Sequence, residues 1–171
     1  GQNNLLEGLM QILSNNLFGL FLAFFAVPYF FYKSQEKLFW VFIAWILTLG
    51  ITDFSANLLK SYFLDFRPCF SDYSYLLDSK GQLLNQCSAT LTGMPSNHSA
   101  NFFAGSLFLL IIFKVNRYSL IFLFISCLVA ISRIYLVKHF PYQVFAGASY
   151  GAILGALGGY VYLKIFRNSL N

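Results

Sequence analysis

Long apolar runs constrain this chain more than any other feature. They occupy residues 17–32, 38–59, 101–113, 120–137 and 144–166. The first has no charge, the second carries only Asp53, and the fourth carries Arg133 near its end. A spanning helix takes about 20 residues, within a range of about 17–25. The short run at 101–113 therefore predicts a helix that starts before residue 101. Residues 1–16 differ. Leu5, Leu6, Leu9, Met10 and Leu13 recur at spacings of three and four, with Glu7 and asparagines between them. That pattern suits a helix lying in the membrane interface. The expected fold is all-α: a polytopic transmembrane bundle of about five spans plus an N-terminal interfacial helix, forming one domain over 1–171 with an outer loop over 64–97.

Composition supports this reading. The 171 residues are 58% hydrophobic and 20% aromatic but only 10% charged, against roughly 25% charged in a typical soluble domain. Disordered, collagen-like and soluble globular chains are excluded on that ground. The net charge of +5 comes from basic residues scattered among apolar runs. It forms no basic patch, so a nucleic-acid partner is not expected.

If the spans alternate, Lys33, Lys37, Lys114, Arg117, Lys164 and Arg167 share one side, and Lys60, Arg67, Lys80, Arg133 and Lys138 share the other. Lys60, Arg67 and Arg133 sit at span ends in a cluster read below as functional. Without them the first side is the more basic and is expected to be cytoplasmic, which turns the 64–97 loop outward. Cys69 and Cys87 both fall in that loop, where an oxidising compartment permits a disulfide. Cys127 lies within an apolar run and reads as a small packing residue. Gly147, Gly151, Gly155 and Gly159 recur every four residues in the last run, as expected of a seam where another helix approaches closely.

Polar residues gather at the outer ends of three runs. The first group is Lys60 to Arg67-Pro68. On a continuous helix its two cations would point the same way, about 20° apart and about 10 Å along the axis, with Pro68 ending the helix. In the second group, Gly93-Met94-Pro95-Ser96-Asn97-His98-Ser99, a turn opens a helix whose first N–H groups are free to meet an anion. The third is Ser132-Arg133, followed by His139, Pro141 and Gln143. Three cations, a helix N-terminus and two histidines on one side of a membrane are what phosphoryl transfer requires. Positive groups must already face the phosphoryl oxygens, one histidine can attack phosphorus, and the other can protonate the leaving oxygen.

Lys60-x6-Arg67-Pro68, Pro95-Ser96-Asn97-His98 and Ser132-Arg133-x5-His139 resemble, in order, the three motifs of the type 2 phosphatidic acid phosphatase superfamily: K-x6-RP, PSGH and SR-x5-H-x3-D. The resemblance covers roughly residues 38–163. It implies a metal-independent, cofactor-free integral membrane phosphatase in which His139 becomes a phosphohistidine and His98 is the general acid. Lys60, Arg67 and Arg133 would hold the phosphate, and Ser96 with the Asn97 backbone would form the turn that cradles it. Asn97 stands where the family has glycine. Gln143 stands where it has the aspartate that orients the nucleophile, and here the stretch 139–144 resembles glucose-6-phosphatases, which also carry glutamine.

The size is near that of bacterial envelope phosphatases. The implied location is therefore the bacterial inner (cytoplasmic) membrane, with the site facing the periplasm or exterior. The implied partners are membrane lipids and a lipid phosphate substrate: lipid A 1-phosphate, undecaprenyl pyrophosphate, phosphatidylglycerophosphate or phosphatidic acid. The rival readings are a small transport protein with Asp53, Asn57 and Lys60 along its path, and a non-catalytic phospholipid-binding membrane protein.

Overall fold

The computed structural model describes residues 4–15, 17–19, 35–68 and 91–166, with side chains from residue 39 in the second helix. Among these residues the regular elements are helices: α1 (Asn4–Leu13), α2 (Gln35–Phe63), α3 (Asn97–Phe113), α4 (Arg117–Tyr135) and α5 (Pro141–Ile165). Three are long and apolar enough to cross a membrane, over Phe39–Phe63, Arg117–Tyr135 and Pro141–Ile165. The fourth apolar helix, α3, has 17 residues, and it begins before residue 101 as expected. The run at 17–32 and the cysteines Cys69 and Cys87 fall wholly or mostly outside the described residues.

The helix ends have local causes. Asn116 accepts from the N–H groups of Tyr118 and Ser119, while Ser119 Oγ accepts from the Asn116 N–H, so a capping box starts α4. Pro141 occupies the first turn of α5, where its missing N–H costs nothing. The sequence expectation for α2 needs correction. The helix stops at Phe63, and Leu64 turns the chain at φ 45°, four residues before Pro68. Lys60 and Arg67 therefore do not share a helix face.

Helix α5 packs along α3 through the glycine seam. A Cβ on Gly147 would strike the Ser96 backbone, one on Gly151 the Ala100 backbone, and one on Gly155 the Ala104 backbone. A Cβ on Gly159 would press on Ile111. Small residues let membrane helices approach at backbone distance, and dispersion then holds them together. Val41, Trp45, Phe108, Leu109 and Tyr162 fill the space between α2, α3 and α5. Ser126 Oγ, hydrogen-bonded to the Phe102 carbonyl (2.9 Å) and to Ser106 Oγ (2.6 Å), ties α4 to α3. Outward faces stay apolar, with Leu47, Ile51, Phe54, Phe124, Ile153 and Leu157 exposed, as lipid contact allows. Cys127 is also exposed, which corrects its reading as a packing residue. On α1, Met10 and Leu13 are buried against Val129 and Leu136, while Leu5 and Ile12 are exposed.

Candidate active site

The C-terminal ends of α2 and α4 and the N-terminal ends of α3 and α5 meet, and the sequence-predicted groups meet with them. Arg67 reaches Thr92 through Nη2, at 3.2 Å from Oγ1 and 3.4 Å from the carbonyl, so the first motif closes onto the segment leading to the second. Gly93 N–H donates to the Asp65 carbonyl (2.8 Å). A Cβ on Gly93 would collide with Gln143 and with the Asp65 and Phe66 carbonyls, so only glycine fits that crossing. Ser96 is fully buried, and its N–H donates to the Gln143 carbonyl (3.1 Å). Its side chain does not cap α3, so the first-turn N–H groups are not satisfied by it.

Asn97 is the first residue of α3 and is not among the positive-φ residues. The site of the missing glycine thus needs no left-handed backbone. The Asn97 side chain turns toward α2, where Nδ2 donates to Asp53 Oδ1 (3.0 Å) and Asn57 Oδ1 (2.8 Å). Asn101 also donates to Asp53 Oδ1 (2.9 Å). Asp53 and Asn57 are therefore engaged in a clasp between α2 and α3. His98, on the first turn of α3, lies within the fields of Arg133, Lys138, Lys60 and Asp53.

Arg133 is buried, and its Nη1 donates to the Ser14 carbonyl (3.1 Å) and to Ser14 Oγ. The end of α1 thus holds the arginine in place. The Nε groups of Arg67 and Arg133 are buried without a partner among the described residues. An unmet buried donor costs about 1–3 kcal/mol. After α4, Val137 adopts φ 55°, unfavourable for a β-branched residue. Its turn is held by Lys138 and His139 N–H groups bonded to the Arg133 carbonyl (3.0 and 3.2 Å). This sets His139 back beside Arg133.

His139 is buried, with Nδ1 2.9 Å from the Gly93 carbonyl and 3.3 Å from Gln143 Oε1. The Gln143 amide has one consistent orientation. Oε1 faces the Phe140 N–H (3.0 Å), and Nε2 faces Asp65 Oδ2 (2.8 Å) and the Phe66 carbonyl (2.6 Å). Both neighbours of His139 Nδ1 are then acceptors, so Nδ1 carries the proton and Nε2 keeps its lone pair. Burial, then the charges of Arg133, Arg67 and Lys60, push the His139 pKa down to about 3, against a raising contribution from the Gly93 hydrogen bond. A lowered pKa keeps the ring neutral as pH falls through the range where an ordinary histidine, at about 6.5, gains a proton. In ¹⁵N-histidine NMR of His98→Ala, which leaves one histidine, the ring should hold the Nδ1–H tautomer unchanged from about pH 8 to 5. Titration near pH 6.5 would contradict this arrangement.

Sequence reasoning assigned no role to four participants. Asp65 sits inside the first motif, Gly93 two residues before Pro95, and Lys138 next to His139. Lys138 has its pKa lowered by burial and then by Arg133 and Arg67. For these three, proximity to the motifs was a usable signal. Ser14 gave none, since it lies 119 positions from Arg133.

The family model described as the PAP2 superfamily matches residues 41–167. A lipid A 4'-phosphatase of Porphyromonas gingivalis (strain ATCC 33277) is 27% identical over 164 residues, covering 95% of this chain and 68% of the relative. No solved structure matches the chain significantly.

Proposed function

Because the chain belongs to the PAP2 superfamily, and is on that ground a phosphatase of membrane lipids, we propose that it hydrolyses a phosphomonoester or pyrophosphate of an envelope lipid through a phosphohistidine at His139. The observation that carries this is the His139 ring itself, with Nδ1 set between the Gly93 carbonyl and Gln143 Oε1 and with Arg133, Arg67 and Lys60 acting on it through their charges. Lys60, Arg67 and Arg133 hold the phosphoryl oxygens together with the α3 N-terminus at Ser96 and Asn97. His139 Nε2 forms the N–P bond as the bond from phosphorus to the leaving oxygen breaks, and His98 gives that oxygen its proton. Water then attacks phosphorus, its proton passes to His98, and the N–P bond breaks to release phosphate and restore both histidines.

In this reading the chain has five spans, the fifth being the run at 17–32, and α1 lies in the interface. It sits in a bacterial inner membrane with the site on the periplasmic or outer side. The named relative acts on the 4'-phosphate of lipid A, which favours a lipid A phosphate among the candidate substrates.

Positive charge at the phosphate comes from side chains in this mechanism, and among the described residues no three His, Cys, Asp or Glu gather as metal ligands. Phosphate release from lipid A 1- and 4'-phosphates, undecaprenyl pyrophosphate, phosphatidylglycerophosphate and phosphatidic acid should proceed at the same rate in excess EDTA. Loss of activity on chelation, restored by a divalent metal, would reject the mechanism. Absence of release from the whole panel would reject the substrate class.

A further inference from the structure

We propose that Asp65 is the positioning carboxylate for His139, acting through the Gln143 amide in place of the aspartate that the family motif carries at position 143. The proposal rests on the reading of His139 as the nucleophile.

The connection is a closed circuit of hydrogen bonds. Gln143 Nε2 donates to Asp65 Oδ2 at 2.8 Å, and Gln143 Oε1 lies 3.3 Å from His139 Nδ1. On the other side the Asp65 carbonyl accepts from Gly93 N–H (2.8 Å), and the Gly93 carbonyl lies 2.9 Å from the same Nδ1. Both arms leave Asp65 and end on one proton of His139. Gln143 has no exposure to solvent, and Asp65 is half-buried. A carboxylate on Nε2 polarises the amide and makes Oε1 a stronger acceptor, as chains of hydrogen bonds do in a low-dielectric interior. Tyr142 Oη adds a donor to Asp65 Oδ2 at 2.7 Å and the Phe66 N–H one to Oδ1 at 2.9 Å, fixing the carboxylate. No proton travels along this path. Nδ1 keeps its proton throughout, and the carboxylate acts on the positive charge that the ring acquires as Nε2 bonds to phosphorus. The benefit falls on the chemical step and leaves substrate binding alone.

The arrangement also reverses what a carboxylate at position 143 would do. With Asp65 in place, Gln143→Asp puts two carboxylates in one pocket, where they repel. The test is a double-mutant cycle on full-length enzyme in detergent, with lipid A phosphate as substrate. Asp65→Asn should lower kcat about 10–100-fold, by analogy with the loss of a partner that orients a metal-bound histidine, and leave KM within about threefold. In the Gln143→Asp background the same substitution should raise kcat, because it removes the repulsion. A residue that only supports the fold would lower kcat by the same factor in both backgrounds, and that result, or an unchanged kcat for Asp65→Asn, would overturn the proposal. A second readout does not depend on turnover. In ¹⁵N-histidine spectra of the His98→Ala protein, Asp65→Asn should move the His139 Nδ1 resonance, and an unmoved resonance would reject the coupling. If the parent enzyme releases no phosphate from any lipid, the functional reading fails while the NMR arm still decides the role of Asp65.

Discussion

His139→Ala should bring turnover to background with every substrate, because it removes the atom that bonds to phosphorus. Losses on deleting a nucleophile are of order 10⁶-fold in well-studied hydrolases. His98→Ala should behave differently. With an alkoxide leaving group, such as a sugar hydroxyl, it forfeits general acid catalysis worth about 10²–10⁴-fold. A pyrophosphate or aryl phosphate leaves more readily, so the loss should shrink there. Rapid-quench trapping should find an acid-labile phosphoenzyme in the parent and none in His139→Ala. A phosphoenzyme that persists in His139→Ala and vanishes in His98→Ala would exchange the two roles. Full activity in both variants would remove the histidines from the chemistry.

Gly151→Ala should be severely destabilising although it adds one methyl group. The new Cβ would collide with the backbone of Ala100, which cannot rotate away as a side chain can. Relief requires α5 to move off α3 along the whole seam, and both helices begin at the active site. Overpacking commonly costs about 1–3 kcal/mol, and a collision with backbone belongs at about 3 kcal/mol, the upper end of that range. Gly50→Ala is the matched control. A Cβ there meets nothing within 4 Å, so the gain in helix propensity should stabilise α2 by about 0.5–1 kcal/mol. Thermal unfolding of the two variants in the same detergent should therefore shift in opposite directions, with activity lost only in Gly151→Ala. Equal midpoints would show that the seam does not hold the bundle.

Residue chemistry alone carried a large part of this protein. Uninterrupted apolar runs dictate helices with lipid-facing sides. Four glycines spaced by one helical repeat dictate a close neighbour, found to be α3. The motifs name the side chains that converge, because the spacing from Arg133 to His139 spans one helix end and one turn. Local sequence also misled where two local rules disagreed. Pro68 is the strongest helix breaker near Lys60, yet α2 ends earlier, at Phe63, and Arg67 reaches the site from a loop that folds onto Thr92.

Only the tertiary structure decided the partners. Asn97 stands where the family motif has glycine, yet it is helical and its side chain clasps α2 through Asp53 and Asn57. Gln143 stands where the family motif has the aspartate that orients the nucleophile. Its Nε2 is bonded to Asp65, 78 positions away. Arg133 is held by Ser14, 119 positions away. Hydropathy and helix periodicity report what a residue prefers within a turn or two of its own chain. Which carboxylate lies behind an amide, or which carbonyl receives a guanidinium, depends on how closely two helices approach and in what register. In this chain the glycine seam between α3 and α5 sets that distance, and it fixes the positions of Ser96 and Gln143 together.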